Sequence, residues 1–145
     1  MSDGDDPATT RGAILQAFRE HKGLHKSELC RCTGRGWGTI GHHVYVLVQR
    51  DQVLTEVHGR QLWVFLPNIP KLERDWIVAT HVPERRKLLN RLLGRKGVTI
   101  ESLSSEMELS KKTIRTHLSH LKRIGAVKRT QESPAMYEAK TKQER

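Results

Sequence analysis

Leu103 to Val127 reads LSSEMELSKKTIRTHLSHLKRIGAV, and the placement of its apolar residues decides the fold. Ser110 is a residue type that caps helices, and after it Ile114, Leu118, Leu121 and Ile124 recur at the spacing of one helical face. Upstream, Thr99 is suited to cap a short helix holding Leu103 and Met107, and Pro83 opens an earlier one carrying Leu88, Leu89, Leu92 and Leu93. Downstream, Val127 to Gln131 and Met136 to Ala139 flank Ser133-Pro134 and predict a short hairpin. The order is helix, then two helices joined by a tight turn, then a hairpin.

The same grammar stands earlier in the chain. Without gaps, residues 11–54 superimpose on 85–128 at an offset of 74. Identities fall at Arg11/Arg85, Lys22/Lys96, Gly23/Gly97, Leu29/Leu103, Thr39/Thr113, Ile40/Ile114, His43/His117, Leu47/Leu121 and Val53/Val127. Most are positions a small helical core would bury, so the reading is two copies of one fold. In the first copy Asp6-Pro7 is expected to start a helix with Ile14, Leu15 and Phe18 on its apolar stripe. A short helix follows from about Ser27 to Thr33, Gly34-Arg35-Gly36 is a turn, and Ile40, Val44, Leu47 and Val48 stripe a longer helix. Val53, Thr55 and Val57, then Leu62, Val64 and Leu66, alternate on either side of His58-Gly59-Arg60 as a hairpin. The expected fold class is mainly α with small β-hairpin wings (α+β), as two winged helix-turn-helix domains in tandem.

The stretch Leu103, Leu109-Ser110, Thr113-Ile114, His117-Leu118, Leu121 and Gly125-Ala126-Val127 resembles the helix-turn-helix core of ArsR/MarR-type winged-helix transcriptional regulators. The first copy, through Gly38-Thr39-Ile40-Gly41-His42-His43-Val44, Leu47, Gly59-Arg60 and Phe65-Leu66-Pro67, is similar to winged-helix domains common in archaeal regulators. What the resemblance implies is binding to double-stranded DNA and transcriptional control. The first copy departs from the pattern, with Gly at 36, 38 and 41, Arg35 where a buried Leu is usual, and Asp51 and Gln52 where Gly and a small residue are usual.

In a helix-turn-helix the second helix of the motif enters the major groove and reads base edges from its first turns. In the second copy its outward positions are Lys111, Lys112, Arg115, Thr116, Ser119 and Lys122. Arg115 suits bidentate readout of guanine, whereas Lys111, Lys112 and Lys122 suit phosphates. In the first copy the outward set is Trp37, Gly38, Gly41, His42, Tyr45 and Val48, which holds no fixed positive charge. Trp37 and Tyr45 there suit base stacking or a protein partner, His42 between them is a further DNA contact, and for Trp37 packing across the turn in place of the missing Leu stands beside direct contact. Arg60 at the first hairpin tip, and Lys128 and Arg129 beside the second, are wing contacts to phosphate or minor groove. His43 and His117 share one site beside the apolar stripe, and a half-buried structural or phosphate-facing role is expected there in preference to a pH switch.

The chain has 145 residues, with 26 Lys and Arg against 16 Asp and Glu, a net charge of +10 and eight His. Such an excess points to a polyanion, nucleic acid or an acidic membrane surface. It is unevenly spread: nine Lys/Arg against seven Asp/Glu stand up to residue 72, and seventeen against nine beyond it. No apolar run approaches the ~18 residues that span a bilayer, and the start MSDGDDPATT is acidic where a signal peptide is basic. No membrane partner is therefore expected, and a cytoplasmic, nucleoid-associated location is. Cys30 and Cys32 lie two apart, so on a helix they point about 200° away from each other and cannot readily share an ion. Cys30 reads as a small core residue and Cys32 as an incidental thiol. No metal and no cofactor is expected, and without any coherent catalytic motif neither is an enzyme.

The expected organisation is an acidic arm at 1–6, winged-helix domain 1 at 7–67, a linker at 68–82, domain 2 at 83–139 and a charged tail at 140–145. Within the linker, Lys71 to His81 reads as a helix with Leu72, Trp76 and Ala79 on one face. The assembly is expected to be a monomer acting as a pseudo-dimer, or a homodimer. The function expected is a DNA-binding regulator or nucleoid-associated protein, with domain 2 in the major groove and domain 1 auxiliary. The alternative is an interaction adaptor whose partner binds domain 1.

Overall fold

Helix α1 spans Thr10–Ala17, and Thr9 starts it, because its hydroxyl oxygen accepts the Gly12 N–H at 3.0 Å. The computed structural model describes residues 9–132 and 134–140, so the expected start at Asp6-Pro7 lies outside the described residues, as does Ser133 of the second hairpin turn. The chain divides between Ile77 and Val78 into two compact units.

In the first unit α1 is followed by β1 (Gly23–His25), α2 (Lys26–Thr33), α3 (Trp37–Gln49), β2 (Leu54–His58) and β3 (Gln61–Phe65). The three strands form an antiparallel sheet in the order β1-β3-β2, with Leu54 opposite Phe65 and Leu24 opposite Val64. The hairpin stands where the sequence puts it, but its burial does not alternate as expected: Trp63, Val64 and Phe65 are all buried while Val57 is exposed, because the sheet is covered on more than one side. Strand β1 has no counterpart in the sequence reading because three residues are too few to show a period. Gly23 fits there because a Cβ would run into the ring of fully buried Phe65. Ile14, Phe18, Leu24, Leu29, Ile40, Val44, Leu47, Val53 and Val64 close the core, with Val48 and Cys30 packed against it. Val48 is thus on the inward side of α3 and is not one of the outward positions expected.

Helix α4 (Lys71–Thr80) lies within the expected linker, and the division falls inside it. Ala79 is buried, but Leu72 is exposed and does not share its face with the core. In the first unit Glu56 of β2 gathers Lys71 Nζ at 3.2 Å, Arg74 Nε at 3.3 Å and His58 Nε2 at 3.2 Å.

In the second unit the order is α5 (Pro83–Leu92), β4 (Val98–Thr99), α6 (Ile100–Met107), α7 (Lys111–Arg123), β5 (Val127–Glu132) and β6 (Ala135–Ala139). Its sheet runs β4-β6-β5, antiparallel, with an irregularity between Arg129 and Gln131. Leu88, Leu89, Leu92, Val98, Leu103, Ile114, Leu118, Leu121, Ala126 and Val127 are buried. Leu93, expected on the apolar stripe of α5, is exposed: it is the C-cap residue, its backbone already extended, so it leaves the helix face.

Candidate nucleic-acid interface

The turn between α6 and α7 is fixed by short-range chemistry. Thr99 Oγ1 accepts the Ser102 N–H at 3.1 Å and begins α6, which ends at Glu108 in a left-handed conformation (φ 55°). Ser104 Oγ donates to the Leu109 carbonyl at 2.5 Å, and Ser110 Oγ accepts the Thr113 N–H at 3.1 Å to begin α7. Both N-caps are those the sequence predicts. With α7 started at Lys111, the period of 3.6 turns Ile114, His117, Leu118 and Leu121 inward. The same period leaves Lys111, Lys112, Arg115, Thr116, Ser119 and Lys122 exposed.

Those side chains differ in what holds them. Lys111 lies 3.6 Å from Glu101, and Thr116 Oγ1 donates to the Lys112 carbonyl at 3.0 Å. Lys112, Arg115 and Lys122 make no ion pair among the described residues. Arg91 and Arg95 of the preceding segment instead share Glu106, whose carboxylate accepts from both Arg95 Nη atoms at 2.9 Å and lies 3.6 Å from Arg91. Arg115, Ser119 and Lys122 of α7 line one cavity of about 430 Å³ together with Arg129 of β5 and Tyr137 of β6. A second concavity of about 360 Å³ shares Lys122 and Arg129 and adds Lys128, Glu132 and Lys140. The basic surface therefore continues from the helix over the hairpin. Lys128 is half-buried, and Lys140 and Tyr137 are additions that no local pattern in the sequence marks, because only the β5–β6 pairing brings them beside α7.

In the first unit Gly34 (φ 69°) ends α2 and Gly36, which offers no side-chain cap, begins α3. Trp37 is 58% exposed and Tyr45 63%, and His42 is exposed as well. Trp37 does not pack into the turn. Lys26 reaches across from α2 and sets its ammonium 4.0 Å from the centre of the Trp37 ring, a cation over an aromatic face. The absent side chain at Gly41 leaves it room, for a Cβ there would come within 2.8 Å of Lys26 Nζ. A positive charge thus stands on this helix face after all, supplied by a neighbouring helix, where reading α3 alone could not find it. Arg60 at the hairpin tip lines the same small cleft as Lys26, Trp37 and Gln61.

His117 is buried and faces Arg85 of α5, whose Nε–H points to His117 Nδ1 at 3.4 Å, so it does not face a phosphate. Burial pushes its pKa below the ordinary histidine value, and the Arg85 charge adds to this against an opposing Glu84. Cys32 is exposed and Cys30 half-buried. Among the described residues no helix is long and apolar enough to cross a membrane.

No curated protein matches the chain. Residues 82–129 match the family described as bacterial regulatory protein, arsR family, a stretch that runs from the start of α5 into β5. The second unit is thereby similar to the DNA-binding helix-turn-helix domain of arsR-type transcription regulators, and it has the character of a regulator domain rather than an enzyme.

Proposed function

We propose that this chain regulates transcription through two winged helix-turn-helix domains in tandem, with α7 in the major groove and the first unit auxiliary. The observation that carries the reading is the cavity where Arg115, Ser119 and Lys122 meet Arg129, three cations around one concave surface with no acidic residue in its lining. A phosphate backbone running between recognition helix and wing would lie against it, leaving Arg115 near base edges. The tandem reading is supported by the element order shared by the two units and by the sequence repeat, with domains at 7–67 and 83–139. A cytoplasmic, nucleoid-associated protein, monomeric as a pseudo-dimer or homodimeric, is the corresponding state.

The test is duplex binding by fluorescence anisotropy across a salt series. Arg115→Ala and Lys112→Ala are expected to weaken binding strongly, and Lys112→Ala also to flatten its salt dependence, each phosphate contact contributing a slope of about −0.9 in log K against log salt. Wild-type affinity in both variants overturns the reading. A second reading, a protein-interaction adaptor, is favoured by one observation: Trp37, Tyr45 and Val57 of the first unit are all large and exposed. A chain that binds no duplex but loses a protein partner on Trp37→Ala fits the adaptor.

A further inference from the structure

Arg85 and His117 are an unusual pair to find inside a small domain. Their side chains belong to α5 and α7, and they are 9% and 8% exposed. Arg85 Nη1 donates to the Ala79 carbonyl at 3.1 Å and Nε points to His117 Nδ1 at 3.4 Å. A guanidinium can only donate, so Nδ1 has to be the bare, accepting nitrogen of a neutral imidazole. We infer that this pair is a proton-sensitive strut that positions the recognition helix, holding α7 in its DNA-reading seat while His117 is neutral and loosening it when His117 takes a proton. The inference rests on the DNA-binding reading of α7.

Protonation of Nδ1 would do two things at once. It removes the acceptor for Arg85, and it places two cations in contact where water is largely excluded. The charges acting on His117 come from α5, namely Arg85 against Glu84, and α4 offers the Ala79 carbonyl to Arg85. One turn along α7, His120 is also held below the ordinary value, by burial, then Arg85, Arg123 and His117, so it offers no relief. Because the folded value of His117 is depressed, its neutral form stabilises the domain in full above the ordinary value of 6.5. That contribution is lost as pH falls from there through the folded value. The outer face of the helix that would shift carries Lys112, Arg115 and Lys122.

The equivalent residues in the first unit, 74 residues earlier, are Arg11 and His43, which share the charge effect but not the hydrogen bond. His43 of α3 is lowered by burial, by His42 and by Arg11 of α1, and its Nδ1 is buried without a hydrogen-bond partner among the described residues.

The test uses the full chain and two readouts. Histidine and backbone NMR signals are followed without DNA from about pH 7.5 to about pH 5.5, and duplex affinity is measured over the same range. The expected result is that His117 titrates below the ordinary histidine range and that α7 amide signals move with it. Duplex affinity should fall about fivefold or more, a loss that His117→Gln abolishes and Arg85→Met reduces. Titration of His117 at the ordinary value, α7 signals indifferent to it, or an affinity loss unchanged in His117→Gln would each overturn the strut. A chain that binds no duplex at any pH overturns the DNA reading instead, and the α7 signals alone then decide the strut.

Discussion

Glu56 shows how a single residue can hold an element in place. Burial alone would raise its pKa, but hydrogen bonds from His58 and Lys71 and the charges of Lys71 and Arg74 outweigh that and keep the carboxyl below its ordinary value. By linkage, a depressed carboxylate stabilises the fold above its unfolded value and loses that contribution as pH falls through the folded one. Glu56→Gln is therefore expected to destabilise the first unit at neutral pH, by about 1 kcal/mol after allowing for solvent screening at this partly exposed site. The difference from wild type should shrink towards zero in acid, and thermal unfolding at several pH values checks it. A difference that stays constant with pH would show that the carboxylate charge does not act. Gly23 makes the complementary point about shape. Phe65 is fully buried and cannot yield, so Gly23→Ala is expected to cost about 1–3 kcal/mol in denaturant unfolding despite the ordinary helix-free backbone at that site.

The two recognition-type helices, α3 and α7, are the same length, yet their stability has different sources. In α7, Ser110 caps the start, and Lys122 and Arg123 stand in the last turn where the helix dipole favours positive charge. In α3, Gly36 gives no side-chain cap and Gly38 and Gly41 lie within the helix. A Cβ at Gly38 would meet nothing within 4 Å and its backbone is helical, so Gly38→Ala is expected to stabilise the first unit by about 1 kcal/mol. A rise in the unfolding midpoint checks it, and a fall would mean that the glycine is used for something besides the helix. Gly41→Ala should differ, since its methyl displaces Lys26 from the face of Trp37.

Over the whole chain the charge is partitioned. Up to Ile77 there are ten Lys and Arg against nine Asp and Glu, and from Val78 onward sixteen against seven. Long-range attraction of a polyanion then belongs to the second unit, and only local features such as Lys26 and Arg60 give the first unit a share. In the full chain, the joint change Lys112→Ala, Lys122→Ala, Arg129→Ala is expected to remove about three units of salt slope. Lys26→Ala with Arg60→Ala should remove about two at most. Equal losses from the two sets would place the units on the duplex as equals rather than as reader and auxiliary.

The chain's local patterns were enough to fix the helices and hairpins. Ser110 and Thr99 mark helix starts, Ile114, Leu118 and Leu121 mark an inward face, and the residues flanking Gly59 and Pro134 mark the two hairpins, because caps, periodicity and turns are properties of neighbouring residues. The outward face of α7 follows from the same period. Tertiary structure alone decided what comes from elsewhere in the chain: β1 and β4, too short to show a pattern; Lys26 over Trp37; Lys140 and Tyr137 beside α7; and Arg85 against His117. Each of these depends on a side chain or strand brought in from another element, and the distance between elements is set by packing, which no local window of sequence records.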